Sequence, residues 1–174
     1  MATLLAQSLV LVIGLSESWS LSPAHLLDEL DPAAAAADAT AAGRYLAWWG
    51  YQPSGAPGAR ANVTVRAAPF SASAPLALPR CGYSDFGLYH LAPLLPASGL
   101  AFLGELGKWV PVAVARVARV TDATTGLTVG LIGAPAEKVE LAFAKGAVVS
   151  TVVCTLSAAG SGTASFDGKS PTCK

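Results

Sequence analysis

From Arg44 to the C-terminus the sequence is a train of short runs rich in Val, Leu, Thr and aromatic residues, and this train constrains the fold more than any other feature. The runs are RYLAWWGY, NVTVRA, PLALP, DFGLYHLA, LAFLGEL, VARVARVTD, GLTVGLIG, KVELAFA and VVSTVVCTLS. Side chains of these types suit a pleated, half-buried surface better than a helix. Between them lie PSGAPGA, PLLPASG, DATTG, GAPAE, AKGA and AAGSG. There Gly supplies positive φ, Pro presets φ, and Asp, Ser and Thr bond their own backbone, so each stretch turns the chain. Runs at roughly 8–12-residue spacing, with no long amphipathic helix between them, predict an all-β fold, an antiparallel β-sandwich spanning residues 44–174.

Within that domain two patterns differ. In KVELAFA, Val139, Leu141 and Phe143 share one face while Glu140 lies on the other, as in a strand buried on one side. In FGLYHLA both faces are largely apolar, as in a central strand covered on both sides. The stretch from Phe86 to Val112 reads as two apolar strands around a Pro-bounded turn. Phe86, Leu88, Leu91, Phe102, Leu103 and Leu106 are expected to share one core, joined by Val139, Leu141 and Phe143. The run from Val117 to Ser157 reads as a meander of hairpins.

The N-terminal quarter divides in two. Residues 1–19 contain LLAQSLVLVIGL, which reads as a buried strand or as the apolar part of a signal-like segment. The first basic residue is Arg44, so the charged region that precedes such apolar stretches is missing, and the strand reading is preferred. The run is also too short to span a bilayer. Residues 20–43 predict a short helix followed by an Ala-rich insertion. Ser22 would cap the helix, Pro23 would occupy its first turn, and Leu26, Leu27 and Leu30 would form its apolar stripe. The sequon Asn62-Val63-Thr64 would be used only on entry into the secretory path.

Charge excludes some functions. Lys+Arg and Asp+Glu are both 11, a formal net charge of +0, so no basic surface for nucleic acid is expected. Charged residues are 13% of the chain, which leaves a weak defence against self-association and suits a domain that packs on something larger. The three cysteines, Cys81, Cys154 and Cys173, are few and scattered, with no C-x-x-C spacing. An odd count leaves at least one thiol free, and Cys81 and Cys154, in or beside strand-like runs, are expected as small buried thiols rather than parts of a disulfide framework, with no metal site.

Chemistry is sparse. The chain has no G-x-S-x-G, P-loop, H-x-x-x-H or Gly-rich dinucleotide turn, and no cofactor is expected. His25 falls on the predicted helix and His90 in mid-strand, where a lone histidine reads as a core residue rather than a base. The acidic pairs Asp28/Glu29 and Glu137/Glu140 are in principle a glycosidase-like pair, but read better as solvated charge. Trp48-Trp49 suggests a sugar-stacking platform. Adjacent strand residues point to opposite faces, so at most one of the two can meet a ligand. Trp109 should cap the core or lie on an interface. Trp48 and Trp109 are thus the candidate carbohydrate contacts, and no catalytic residue is assigned.

The stretch APLALPRCGYSDFGLYHLAPLLPASGLAFLGELGKWVPV resembles the C-terminal part of the raffinose synthase and alkaline α-galactosidase group, glycoside hydrolase family 36-like enzymes. Phe86, Leu88, Tyr89 and Pro93 match the first strand of that pattern; Phe102, Leu103, Gly104, Leu106 and Trp109 match the second. LSPAHLLDEL and GRYLAWW resemble the connection entering that domain and the strand after it. GKWVPV departs from the Met and Asn-Gly-Gly-like stretch of the group, and the last third is only generically sandwich-like. The resemblance implies an accessory domain in carbohydrate metabolism, cytoplasmic or plastidic, docked on a catalytic (β/α)8 barrel with galactosyltransferase or α-galactosidase activity. Its partners would be that barrel or a second copy, with an oligosaccharide within reach and neither nucleic acid nor membrane. The catalytic carboxylates of the group belong to the barrel, which a chain of 174 residues without βαβ alternation cannot hold. The alternative is a free-standing secreted β-sandwich for binding or adhesion.

Overall fold

The computed structural model describes residues 8–13, 17–22, 45–49, 64–71, 73–80 and 86–174. The fold is all-β and antiparallel, as the run spacing predicts, and no helix occurs among the described residues. The helix and Ala-rich insertion predicted within 20–43 fall mostly at positions 23–43, outside the described residues, as do His25, Asp28, Glu29, Asn62 and Cys81.

The chain forms two compact units, residues 8–91 and residues 92–174. The first contains β1 (Ser8–Ile13), β2 (Trp19–Leu21), β3 (Tyr45–Trp49), β4 (Arg66–Phe70), β5 (Leu76–Leu78) and most of β6 (Phe86–Pro93). Its larger sheet has the order β1-β6-β3-β4, and β2 pairs with β5 separately. The segment SLVLVI is a strand whose register runs from Ser8 opposite Leu91 to Ile13 opposite Phe86. Leu21, Ala47, Phe70, Leu76, Leu78, Tyr89 and Leu91 form this unit's core. Leu88 and Tyr89 are both buried although they point to opposite faces, so β6 is covered on both sides.

The second unit contains β7 (Ala101–Glu105), β8 (Val117–Ala123), β9 (Gly126–Ile132), β10 (Lys138–Lys145), β11 (Val148–Thr155), β12 (Ser161–Phe166) and β13 (Pro171–Cys173). A three-stranded sheet, β11-β10-β7, packs on a four-stranded sheet, β13-β12-β9-β8. Period-2 patterning builds the layer between them. Phe102, Val139, Leu141 and Phe143 come from one sheet, and Leu127, Val129, Leu131, Ala164 and Phe166 from the other. The Phe143 ring lies 5.3 Å from Phe102 and 5.4 Å from Phe166, tilted against both, an arrangement that favours aromatic edges on faces.

Two sequence expectations are corrected here. β6 and β7 flank a Pro-bounded turn as expected, but they belong to different sheets, and the turn carries the chain from one unit to the next. That turn is held inside the second unit, where the Asp122 carboxylate accepts from Ala97 N at 2.7 Å and Ser98 N at 3.0 Å. The single core expected for Leu91 and Phe102 is therefore two cores. Leu106 is only half-buried. Nor is the later stretch one meander. β8–β9 and β10–β11 are hairpins in opposite sheets, and β12 and β13, unmarked by any strong apolar run, complete the larger sheet.

The cysteines also behave differently. Cys154 is buried as expected, but it is disulfide-bonded to Cys173. β11 and β13 are edge strands of the two facing sheets, so this bond ties one sheet to the other across the core.

Candidate functional site

The candidates from sequence separate once side chains are placed. Trp48, on β3, is 4% exposed, and its ring stacks on His90 of β6 with centroids 4.5 Å apart. A sugar platform needs an open ring face, and burial against His90 removes it, so Trp48 is core in this fold. Its Nε1 is buried without a hydrogen-bond acceptor. Trp49 turns to the opposite face, tilted against Tyr89 at 5.7 Å, as strand alternation requires. His90 is 3% exposed. Burial disfavours the imidazolium and pushes its pKa down to about 4. A neutral, covered imidazole on an aromatic ring fits the core reading.

Trp109 is half exposed, next to Val110 at 63% and Val114 at 68%. The backbone explains why this apolar segment is presented rather than collapsed. Gly104 has a φ of +107°, a conformation L side chains avoid, and a Cβ there would come within 2.5 Å of the Pro111 Cβ. The missing side chain lets Pro111 sit directly on β7, where Glu105 N donates to Pro111 O at 2.8 Å. Pro111 is buried while Trp109, Val110 and Val114 around it face outward. The residues from Leu106 to Ala115 thus form a pinned loop with an apolar rim.

At the end of this loop stands a charged cluster that sequence spacing did not reveal. Arg116 Nε donates to Glu105 Oε2 at 2.8 Å. Its two terminal nitrogens donate to the two oxygens of Glu137, at 2.9 Å and 2.5 Å. A further bond reaches Ile132 O at 2.8 Å. Ala134 N also donates to Glu137 at 2.9 Å, and Lys108 lies 3.6 Å from Glu105. The fork geometry of guanidinium matches carboxylates two at a time, which lysine could not do. These contacts hold the Glu137 carboxyl down to about 2, chiefly through Arg116, and raise the Arg116 pKa, chiefly through Glu137.

The chemistry of this cluster is restraint. Glu105 and Glu137 bracket one cation, and an acid–base pair needs a carboxyl that can hold a proton near neutral pH. Glu137 does not pair with Glu140 as a catalytic couple: its oxygens are taken by Arg116 and Ala134. The cluster joins the end of β7, the start of β8, the end of β9 and the turn before β10, so it clasps both sheets at one end of the sandwich. Among the described residues no group of His, Cys, Asp or Glu could hold a metal ion, and no helix is long and apolar enough to cross a membrane.

No family model, no curated protein and no solved structure matches the chain.

Proposed function

We propose that this chain is a non-catalytic β-sandwich module that supports a carbohydrate-active catalytic domain of the raffinose synthase and α-galactosidase type. The observation that carries the reading is the pinned loop at Trp109. Within the stretch bearing the resemblance, Gly104 and Pro111 hold Trp109, Val110 and Val114 outward on a rigid sheet, a surface suited to docking on a larger domain. The clasped carboxylates support the same reading, because the best-placed acidic side chains serve Arg116. Activity would then reside in a barrel, and an oligosaccharide would meet this module at most through Trp109.

A second reading, a secreted β-sandwich for binding or adhesion, is favoured by one observation. The Cys154–Cys173 bond persists most readily in an oxidising compartment. One experiment separates the two. The native protein is recovered from its source with an antibody against residues 92–174, and its mass and N-terminal sequence are determined. A polypeptide larger by a barrel of about 250 residues, with galactosyl-transferring or galactosidase activity, supports the first reading. A 17.5 kDa-class protein with a cleaved N-terminus in the extracellular fraction overturns it and supports the second.

A further inference from the structure

The second unit has four sheet edges, and three of them are defended. β8 carries Arg119 and Asp122 and breaks its register between Val117 and Arg119. β13 is three residues long, contains Pro171 and is followed by Lys174. β7 is closed by the bond from Glu105 N to Pro111 O, and its pairing with β10 shifts register at Ala142/Phe143. Charge, proline, short length, bulges and a covering loop are the devices by which sheets avoid adding foreign strands.

β11 has none of them ahead of Cys154, where β13 joins it through the disulfide. It is eight residues long, VVSTVVCT, with no charge, no proline and an unbroken register against β10 from Lys138–Thr155 to Lys145–Val148. The hairpin closes at the Lys145–Val148 pair around a two-residue loop. By the alternation of an antiparallel ladder, the N–H and C=O groups of Val149, Thr151 and Val153 therefore point away from β10. Thr151 and Val153 are exposed, Val153 to 57%.

We infer that β11 is a self-pairing edge, through which a second copy of this chain adds antiparallel across a two-fold axis at Thr151. The occupant follows from the register. With Thr151 opposite its own copy, Val149 falls opposite Val153 twice, so every outward pair is β-branched on β-branched and none sets like charges together. On the neighbouring β10 the charged residues Lys138, Glu140 and Lys145 stand opposite Thr155, Val153 and Val148, and uncharged Ala142 stands opposite Thr151, so no charge sits at the axis. The result is a continuous six-stranded sheet, β7-β10-β11 joined to its symmetry mate. Because one strand edge buries a small area, the dimer is weak and concentration-dependent.

The test is sedimentation velocity of the intact oxidised chain from about 5 to about 500 µM, a range that brackets weak association. A reversible monomer–dimer equilibrium is expected. Thr151→Lys puts two ammonium groups opposite each other on the axis and should raise the dissociation constant at least about tenfold. Thr151→Glu should do the same, while an equimolar mixture of the two variants should recover association as a Lys–Glu heterodimer. Amide exchange of the wild type needs no variant: protection at Val149, Thr151 and Val153 should rise with concentration, while that of β8 stays constant. A wild type that remains monomeric, Thr151 variants that associate like the wild type, failure of the mixture to recover dimer, or concentration-independent exchange in β11 would each overturn the inference.

Discussion

The Cys154–Cys173 bond offers the sharpest quantitative test of the second unit. The bond closes a loop of 19 residues, and in the chain-entropy description such a cross-link removes about 11 cal/mol/K from the unfolded ensemble, or about 3 kcal/mol at 25 °C. Cys154 is fully buried in the inter-sheet core, so replacing it by Ala also removes a packed sulfur, adding on the order of 1 kcal/mol. The double variant Cys154→Ala/Cys173→Ala should therefore lose about 3–4 kcal/mol, a large part of the stability of a domain this size. Three of the four tryptophans, Trp19, Trp48 and Trp49, lie before residue 92, so bulk fluorescence would report mainly on the other unit. Urea titration should instead be followed by amide exchange at Leu131, Val139 and Phe143, whose protection depends on the core that the bond spans. Alkylation of the unreduced wild type in urea should leave Cys154 and Cys173 unlabelled. A loss below about 1 kcal/mol would refute the loop-entropy argument, and labelling of all three cysteines would refute the bond itself.

Other consequences follow from the same geometry. Arg116→Ala leaves the nearly buried Glu105 with only the half-exposed Lys108, 3.6 Å away, and should cost about 3 kcal/mol, read in urea unfolding of the second unit; a cost near zero would mean that the clasp is ornamental. Gly104→Ala forces a Cβ into Pro111 at positive φ and should cost about 1–3 kcal/mol, with faster motion of the Trp109 indole N–H in nitrogen-15 relaxation as the loop lifts; unchanged Trp109 dynamics would contradict the pinning. His90 has a folded pKa of about 4 against an ordinary 6.5, so the folded state binds the proton less well than the unfolded one. The stability of the first unit should be full above about pH 6.5 and decline as pH falls from 6.5 towards 4. The fluorescence of its tryptophans follows this, and His90→Leu should flatten that decline; a wild-type slope that persists in His90→Leu would assign the effect to other groups.

Strand identity was legible because it is local. In KVELAFA the alternation of Val139, Leu141 and Phe143 marks the buried face before any partner is known, and all three are fully buried. FGLYHLA likewise announces a strand covered on both sides, and His90 reads as core without reference to its neighbour Trp48. β12 escaped because SGTASF is built from small residues; only Ala164 and Phe166 of that run enter the core, too few to set a period. Trp109 reads from its type as a core cap or an interface residue, and folding leaves it half exposed, whereas Trp48 and Trp49 could be told apart only by which face of β3 meets β6.

The all-β class, the positions of most strands and turns, and the apolar faces are all legible in the residues themselves. These depend on side-chain periodicity and turn chemistry over a few residues. Partnership is fixed only on folding. β6 pairs with β1 rather than β7, Cys154 meets Cys173, and Arg116 gathers Glu105 and Glu137 from 11 and 21 residues away. Any of the alternating strands could in principle pair with several others, and the entropy of closing a loop rises only with the logarithm of its length, so sequence distance barely ranks the choices. The ranking comes from filling one dry layer with Phe102, Phe143 and Phe166 while bonding buried polar groups such as Glu105, a condition that exists only when the whole sandwich is assembled.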